Sequence, residues 1–153
     1  MNNNPPSVQS LPEDSMSWAR ARASLFFVNG HPSHEALTEQ LALGARTLSA
    51  AEVEVISLDA WSIVASADDW FARARVQETE EVTFGRLRAF PELGQNCTRP
   101  EFLVTTFAGD VIVRGPHGVR IVKGTVTEDD PVLSRISESN SWRRVVAFRG
   151  RHA

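Results

Sequence analysis

The chain has 153 residues, 42% hydrophobic and 23% charged, with a net charge of -3 and one cysteine. That length suits one domain with a single sizeable core, and the weakly acidic balance gives no basic field for a nucleic acid or an anionic membrane. The lone Cys97 excludes an intramolecular disulfide framework and a cysteine-rich zinc site, and it fits a reducing compartment.

Residues 1–15 are rich in Asn, Pro and Ser and poor in large apolar groups, which predicts a mobile arm. They lack the cationic start and long apolar run of a signal peptide, and residues 25–28 are too short a run for a membrane span. The expected location is therefore the cytoplasm, away from any membrane. Residues 16–33 are ambiguous. Trp18 and the apolar run at 25–28 suggest a short helix or strand, broken by Asn29-Gly30-His31-Pro32.

From His34 the pattern is helical, with Leu37, Leu41, Ala45 and Leu48 on one face and Ser33 as N-cap. Ser49 and Glu52 have the spacing of a capping box, which predicts a second short helix carrying Val53 and Ile56. A short strand is expected at 61–65. A second capping pattern from Ser66 to Asp69 then predicts a helix with Trp70, Phe71 and Ala74. After Glu81 the expectation changes to an antiparallel meander. Its strands are placed at 82–87, 102–107, 111–114, 119–126, 132–137 and 142–149, with Gly115-Pro116-His117-Gly118 as a hairpin turn.

Helices followed by a long antiparallel sheet ending in an aromatic strand is an order that resembles the nuclear transport factor 2-like (ketosteroid isomerase-like, SnoaL-like) superfamily. The resembling stretches are residues 34–75 with Asp59-Ala60-Trp61, Gly109-Asp110-Val111-Ile112-Val113, and 139–148 with Trp142-Arg143 before an apolar strand. The resemblance covers about residues 34–153. It implies an α+β fold in which three N-terminal helices pack on a strongly bent antiparallel sheet, a cone around a small apolar pocket. It further implies a homodimer through the exposed sheet face, a small apolar ligand, no cofactor, and either cofactor-free isomerase, lyase or hydrolase chemistry or simple binding. The chain contains no tyrosine, so the tyrosine oxyanion donor of the steroid isomerases is missing. A carboxylate–arginine–carboxylate site like that of the family's epoxide hydrolases stays open, with no motif to place it. The same shape also serves as a non-catalytic dimerisation or interaction module. A rival resemblance links residues 25–33 and 51–56 to the opening strand–loop–helix–strand of flavodoxin-like quinone reductases, which would imply a flavin-dependent oxidoreductase.

Asp59 is the candidate acid, as a base beside the pocket or, in the plainer reading, a turn residue. Trp61, Trp70 and Phe71 are candidate pocket walls that equally suit a core. In the last strand, alternation places Trp142, Arg144, Val146 and Phe148 on one face, which offers Arg144 as an anion-holding group and Trp142 and Phe148 as its aromatic neighbours. Asp110, Asp129 and Asp130 read as turn residues. His31, His34, His117 and His152 have no metal-ligating spacing, and Cys97 reads as an incidental thiol.

Overall fold

Five strands, β1 (Val53–Leu58), β2 (Trp61–Ser66), β3 (Asp110–Gly115), β4 (Gly118–Lys123) and β5 (Arg144–Arg149), make an open antiparallel sheet in the order β1-β2-β5-β3-β4. This is a computed structural model, and it describes residues 11–150. Among the described residues the α-helices are α1 (Leu11–Ala21), α2 (His34–Leu48), α3 (Glu80–Gly85), α4 (Pro100–Phe107) and α5 (Pro131–Glu138).

Both hairpins follow from their turn residues. Leu58 pairs with Trp61 across Asp59-Ala60, and Asp59 adopts the left-handed φ of 53° that a tight turn needs and that Asp tolerates. Gly115 pairs with Gly118 across Pro116-His117, as the sequence predicts, and Gly118 has φ 97°. The final strand does not sit at an edge. It pairs with β2 on one side and β3 on the other, so it lies at the centre of the sheet.

Both faces of the sheet are covered. Val64, Val111, Val113, Val146 and Phe148 pack against the apolar faces of α2 and α4. Ile63, Ala65, Ile112, Val145 and Ala147 pack on the other face with Val132 and Ile136 of α5. Strands buried on both sides read as continuous apolar runs, and residues 145–148 are all buried. Each large side chain so enclosed stabilises the fold by about 1.5–3 kcal/mol. On the helical face, α2 and α4 approach closely at Gly44, where an added Cβ would lie 2.7 Å from Pro100 Cγ.

The fold corrects several expectations. Val53 and Ile56 belong to a strand, because Ser49 closes α2 and does not open a new helix. Its N–H donates to the Ala45 carbonyl at 2.8 Å, and its hydroxyl donates to the Ala51 carbonyl at 2.7 Å. Residues 82–85 are helical, since the Thr79 hydroxyl caps α3 by accepting from Val82 N–H at 3.2 Å. Residues 102–107 form α4, started by Pro100 in the first turn and buried all round, which erases any amphipathic period. Residues 132–137 form α5, with Pro131 in its first turn and the Asp130 carboxylate accepting from Val132 N–H at 3.0 Å. Trp70–Arg73 is a single 3-10 turn capped by Asp69, shorter than the expected helix.

The order is therefore not helices first. Of the three helices expected from residues 34–75 the first forms as α2, while the second is a strand and the third a single 3-10 turn. Helices α1 and α2 precede the first strand, and the other α-helices lie between strands. The helix α1 begins at Leu11, inside the segment expected to be a mobile arm, and residues 1–10 lie outside the described residues. Residues 16–33 contain the end of α1 and a 3-10 turn at Ala23–Leu25. No strand forms at 25–28 and every pairing in the sheet is antiparallel, so the flavodoxin-like opening is not what these residues build.

Candidate functional site

Arg144 opens β5 on the face that carries Val146 and Phe148, and it is only 2% exposed. A buried guanidinium needs acceptors, and two loops bring them. The chain leaving β2 turns at Asp69, whose carboxylate accepts from Phe71 N–H at 3.1 Å and so starts the 3-10 turn. The same carboxylate takes a bidentate pair from Arg144, Nε to Oδ1 at 2.8 Å and Nη2 to Oδ2 at 3.1 Å. In the first turn of α3, Glu80 Oε2 accepts from Arg144 Nη1 at 2.6 Å. The guanidinium carbon lies 3.9 Å from the centroid of the Phe71 ring. Arg120 on β4 completes the array, with Nη2 3.2 Å from Glu80 Oε1. Gly115 permits the packing: a Cβ there would lie 2.5 Å from both Arg144 Nη1 and Glu80 Oε2.

Burial pushes the Glu80 carboxyl up, but the hydrogen bonds and charges of Arg144 and then Arg120 outweigh it. The net result lies below the ordinary glutamate value of 4.5. Glu80 is thus held ionised, and as a proton acceptor near neutral pH it is weak. The array borders a cleft of about 490 Å³ whose walls include Asp69, Phe71, Gln77, Glu80, His117 and Arg120.

Phe71 is shared with a second buried arginine. Arg99 lies just before α4, its guanidinium carbon 5.4 Å from the Phe71 ring and 5.4 Å from the Phe90 ring. Its Nε donates to Glu101 Oε1 at 3.0 Å, and Glu101 Oε2 accepts from Trp70 Nε1 at 3.1 Å.

Of the residues singled out from sequence, Phe71 and Arg144 meet directly, with Trp70 beside them in the same turn, its ring 5.8 Å from that of Phe71. Phe148 is farther along β5, packed against the His34 ring at 4.9 Å in the helical-face core. Trp61 and Trp142 belong to the core on the opposite face. The alternation that places Trp142 beside Arg144 fails because β5 starts only at Arg144. Trp61 stacks under Arg149 at 4.5 Å, and Trp142 donates from Nε1 to Glu54 Oε2 at 3.0 Å. Asp59 sits exposed in the β1–β2 turn. Asp110 and Asp130, read as turn residues, both hold Arg149, at 2.8 and 3.0 Å.

Sequence reasoning missed Glu80, Arg120, Arg99 and Glu101, and it saw Asp69 only as a cap. Thr79 followed by two glutamates is a readable helix start, but nothing in the sequence ties it to Arg144. Among the described residues no group of three or more His, Cys, Asp or Glu side chains could hold a metal ion, and no helix is long and apolar enough to cross a membrane. No protein-family model, curated protein or solved structure matches the chain.

Proposed function

We propose that the chain is a small-molecule-binding domain whose site is the cleft over Arg144, Asp69 and Glu80. The observation that carries this reading is a buried arginine locked between two carboxylates and an aromatic ring on the wall of a 490 Å³ cleft. That volume lies within the range of about 300–1,000 Å³ usual for ligand pockets. Binding is favoured over catalysis because the Glu80 oxygens are committed to Arg144 and Arg120 and its proton affinity is low. The lining carries Asp69, Glu78, Glu80 and Glu81 against Arg120 and Arg144, four negative charges to two positive. A small amine with a compact apolar body suits this wall better than a wholly apolar molecule.

The nuclear transport factor 2-like reading is supported by the antiparallel sheet, by α2 on one face and by the final strand inside the sheet. Against it stand α5 on the other face, and α3 and α4 where that reading places strands. The functional proposal therefore rests on the cleft and not on the family.

Melting curves recorded with a panel of small amines and size-matched carboxylates test it. Amines should raise the melting temperature, and Glu81→Gln on the cleft wall should reduce the rise. Glu128→Gln, beyond the far end of β4, should leave it unchanged. Equal loss in both variants would reduce the effect to nonspecific charge attraction and end the proposal.

A second reading, a non-catalytic interaction module that self-associates, draws on the edge strand β4. Val119 and Ile121 stand 40% and 42% exposed there, on a strand with one side unpaired. A concentration-dependent dimer in sedimentation, abolished by Ile121→Lys, would favour it, and a monomer at every concentration would remove it.

A further inference from the structure

We propose that the cavity beside Arg99 is a second ligand site, specific for a small organic monocarboxylate with an apolar body. This cavity, of about 360 Å³, is walled by Arg88, Arg99, Thr83, Val76, Leu87 and Pro91, with Glu78 and Glu92 also on its lining. It is separate from the cleft over Arg144, although Glu78 borders both.

One donor carries the argument. The Arg99 side chain is 8% exposed and its Nε is bound to Glu101, yet its Nη2 is buried without any hydrogen-bond partner. Arg88 Nε is also enclosed and makes no hydrogen bond, but its side chain is 40% exposed and it is ion-paired with Glu78, 3.3 Å from Oε2. Buried polar groups are almost always satisfied, so Nη2 of Arg99, a residue that lines this cavity, has unused capacity for an acceptor. A carboxylate matches the planar fork of a guanidinium, and the Glu101 contact tethers the group at Nε. Because Nη2 is closed off from solvent, the acid engages it through a small rotation of the guanidinium about the contact that it keeps with Glu101.

The charge balance selects the class of anion. Arg88 and Arg99 are matched on the lining by Glu78 and Glu92, and Glu101 lies behind Arg99. These are three carboxylates to two guanidiniums, so each further negative charge on a ligand adds repulsion. A monoanion held by a guanidinium fork is therefore opposed less than a phosphate dianion. Ala74, Val76, Leu87, Ala89 and Pro91 then enclose the rest of the ligand in apolar surface.

The test is a titration of the full chain with sodium benzoate, followed by amide NMR shifts and by melting temperature. Inorganic phosphate and benzylamine are titrated in parallel. Benzoate should give saturable shifts confined to residues 74–92 and to Arg99. Arg99→Lys keeps the charge but loses the fork, and it should weaken benzoate at least about tenfold. Val76→Trp, at a wall position 59% exposed, should block the cavity and abolish binding while the protein melts as before. Glu81→Gln in the other cleft should leave benzoate binding unchanged. The proposal is overturned if benzoate gives no saturable shift, if phosphate binds as tightly, or if Val76→Trp binds benzoate like the parent. Should Arg99→Lys fail to fold, the Val76→Trp result decides.

Discussion

Two arginines approach the ring of Phe71, both more than nine-tenths buried, and they differ in one respect. Arg144 spends Nε, Nη1 and Nη2 on Asp69 and Glu80, whereas Arg99 has one carboxylate partner and an orphan Nη2. The surroundings explain the difference. Arg144 stands where three separate segments converge, the end of β2, the start of α3 and the β3–β4 hairpin, so acceptors reach it from several sides. Arg99 is held by a residue two positions along its own chain and lies against the rings of Phe71 and Phe90, beside a cavity that it helps to line. The saturated arginine ties loops to the sheet; the unsaturated one leaves a donor without a hydrogen bond.

The largest effects should come from breaking each cluster at its centre. Arg144→Met leaves two partly buried carboxylates facing each other, and Arg99→Met strands Glu101, which is 1% exposed. Removing one partner of a buried ion pair costs about 3–5 kcal/mol, so both variants should show a much lower urea midpoint. The comparison sharpens with a second substitution. Arg99→Met with Glu101→Gln removes the stranded charge while keeping an acceptor for Trp70, and should recover most of the loss. Arg144→Met with Glu80→Gln should not, because Asp69 stays charged and unpaired. Equal recovery in the two double variants would mean that the clusters are built alike.

A smaller effect tests the packing around Arg144 alone. A Cβ at Gly115 would meet both Arg144 Nη1 and Glu80 Oε2 at 2.5 Å, so Gly115→Ala must displace that ion pair. A loss of about 1–3 kcal/mol in chemical denaturation is expected, as for overpacking. Gly85→Ala, with nothing within 4 Å of its added methyl, should cost nothing and can stabilise by up to about 1 kcal/mol.

The same contrast separates what is legible in the sequence from what is not. Local chemistry is legible. Ser33 caps α2, Pro116-His117 turns a hairpin, and residues 144–149 form a strand with Arg144, Val146 and Phe148 on one face. Elements whose periodicity is erased by burial are not. All eight residues of α4 are buried, and its β-branched and aromatic side chains imitate a strand, while Thr105 and Thr106 return their hydroxyl bonds to carbonyls of their own helix. At α5 the Asp130-Pro131 pair is a cap followed by proline, a helix start that the acidic run before it disguises as a plain turn. Arg144 stands out because it sits in a regular strand. Its partners lie 75 and 64 residues away, and no spacing rule reaches that far.

Acid sharpens the comparison further, because the Glu80 carboxyl is held below its ordinary value by Arg144 and Arg120 against the opposing pull of burial. A carboxyl depressed in the folded state is protonated first in the unfolded chain. The stabilisation is complete above the ordinary glutamate value of 4.5 and disappears as pH falls through the folded value. Asp68, lowered mainly by its hydrogen bond from Arg73 against a smaller opposing effect of burial, acts in the same direction. Urea midpoints measured from neutral pH downward should therefore fall below about pH 4.5 in the parent chain, with a shallower fall in Glu80→Gln. Parallel curves would mean that Glu80 is not depressed.

The smallest effect separates the two arginines that share Glu80. Arg120 reaches Oε1 at 3.2 Å from a side chain that is 42% exposed, whereas Arg144 holds Oε2 at 2.6 Å from a buried one. Exposed pairs are worth about 0–1 kcal/mol because water screens them and long side chains lose entropy in forming them. Arg120→Ala should thus shift the urea midpoint only slightly, and it should keep most of the acid dependence, since the Arg144 contact remains. Added salt should erase what little difference there is. A loss in Arg120→Ala as large as that in Arg144→Met would place the weight of the array on the strand edge, and the buried guanidinium would then not be its centre.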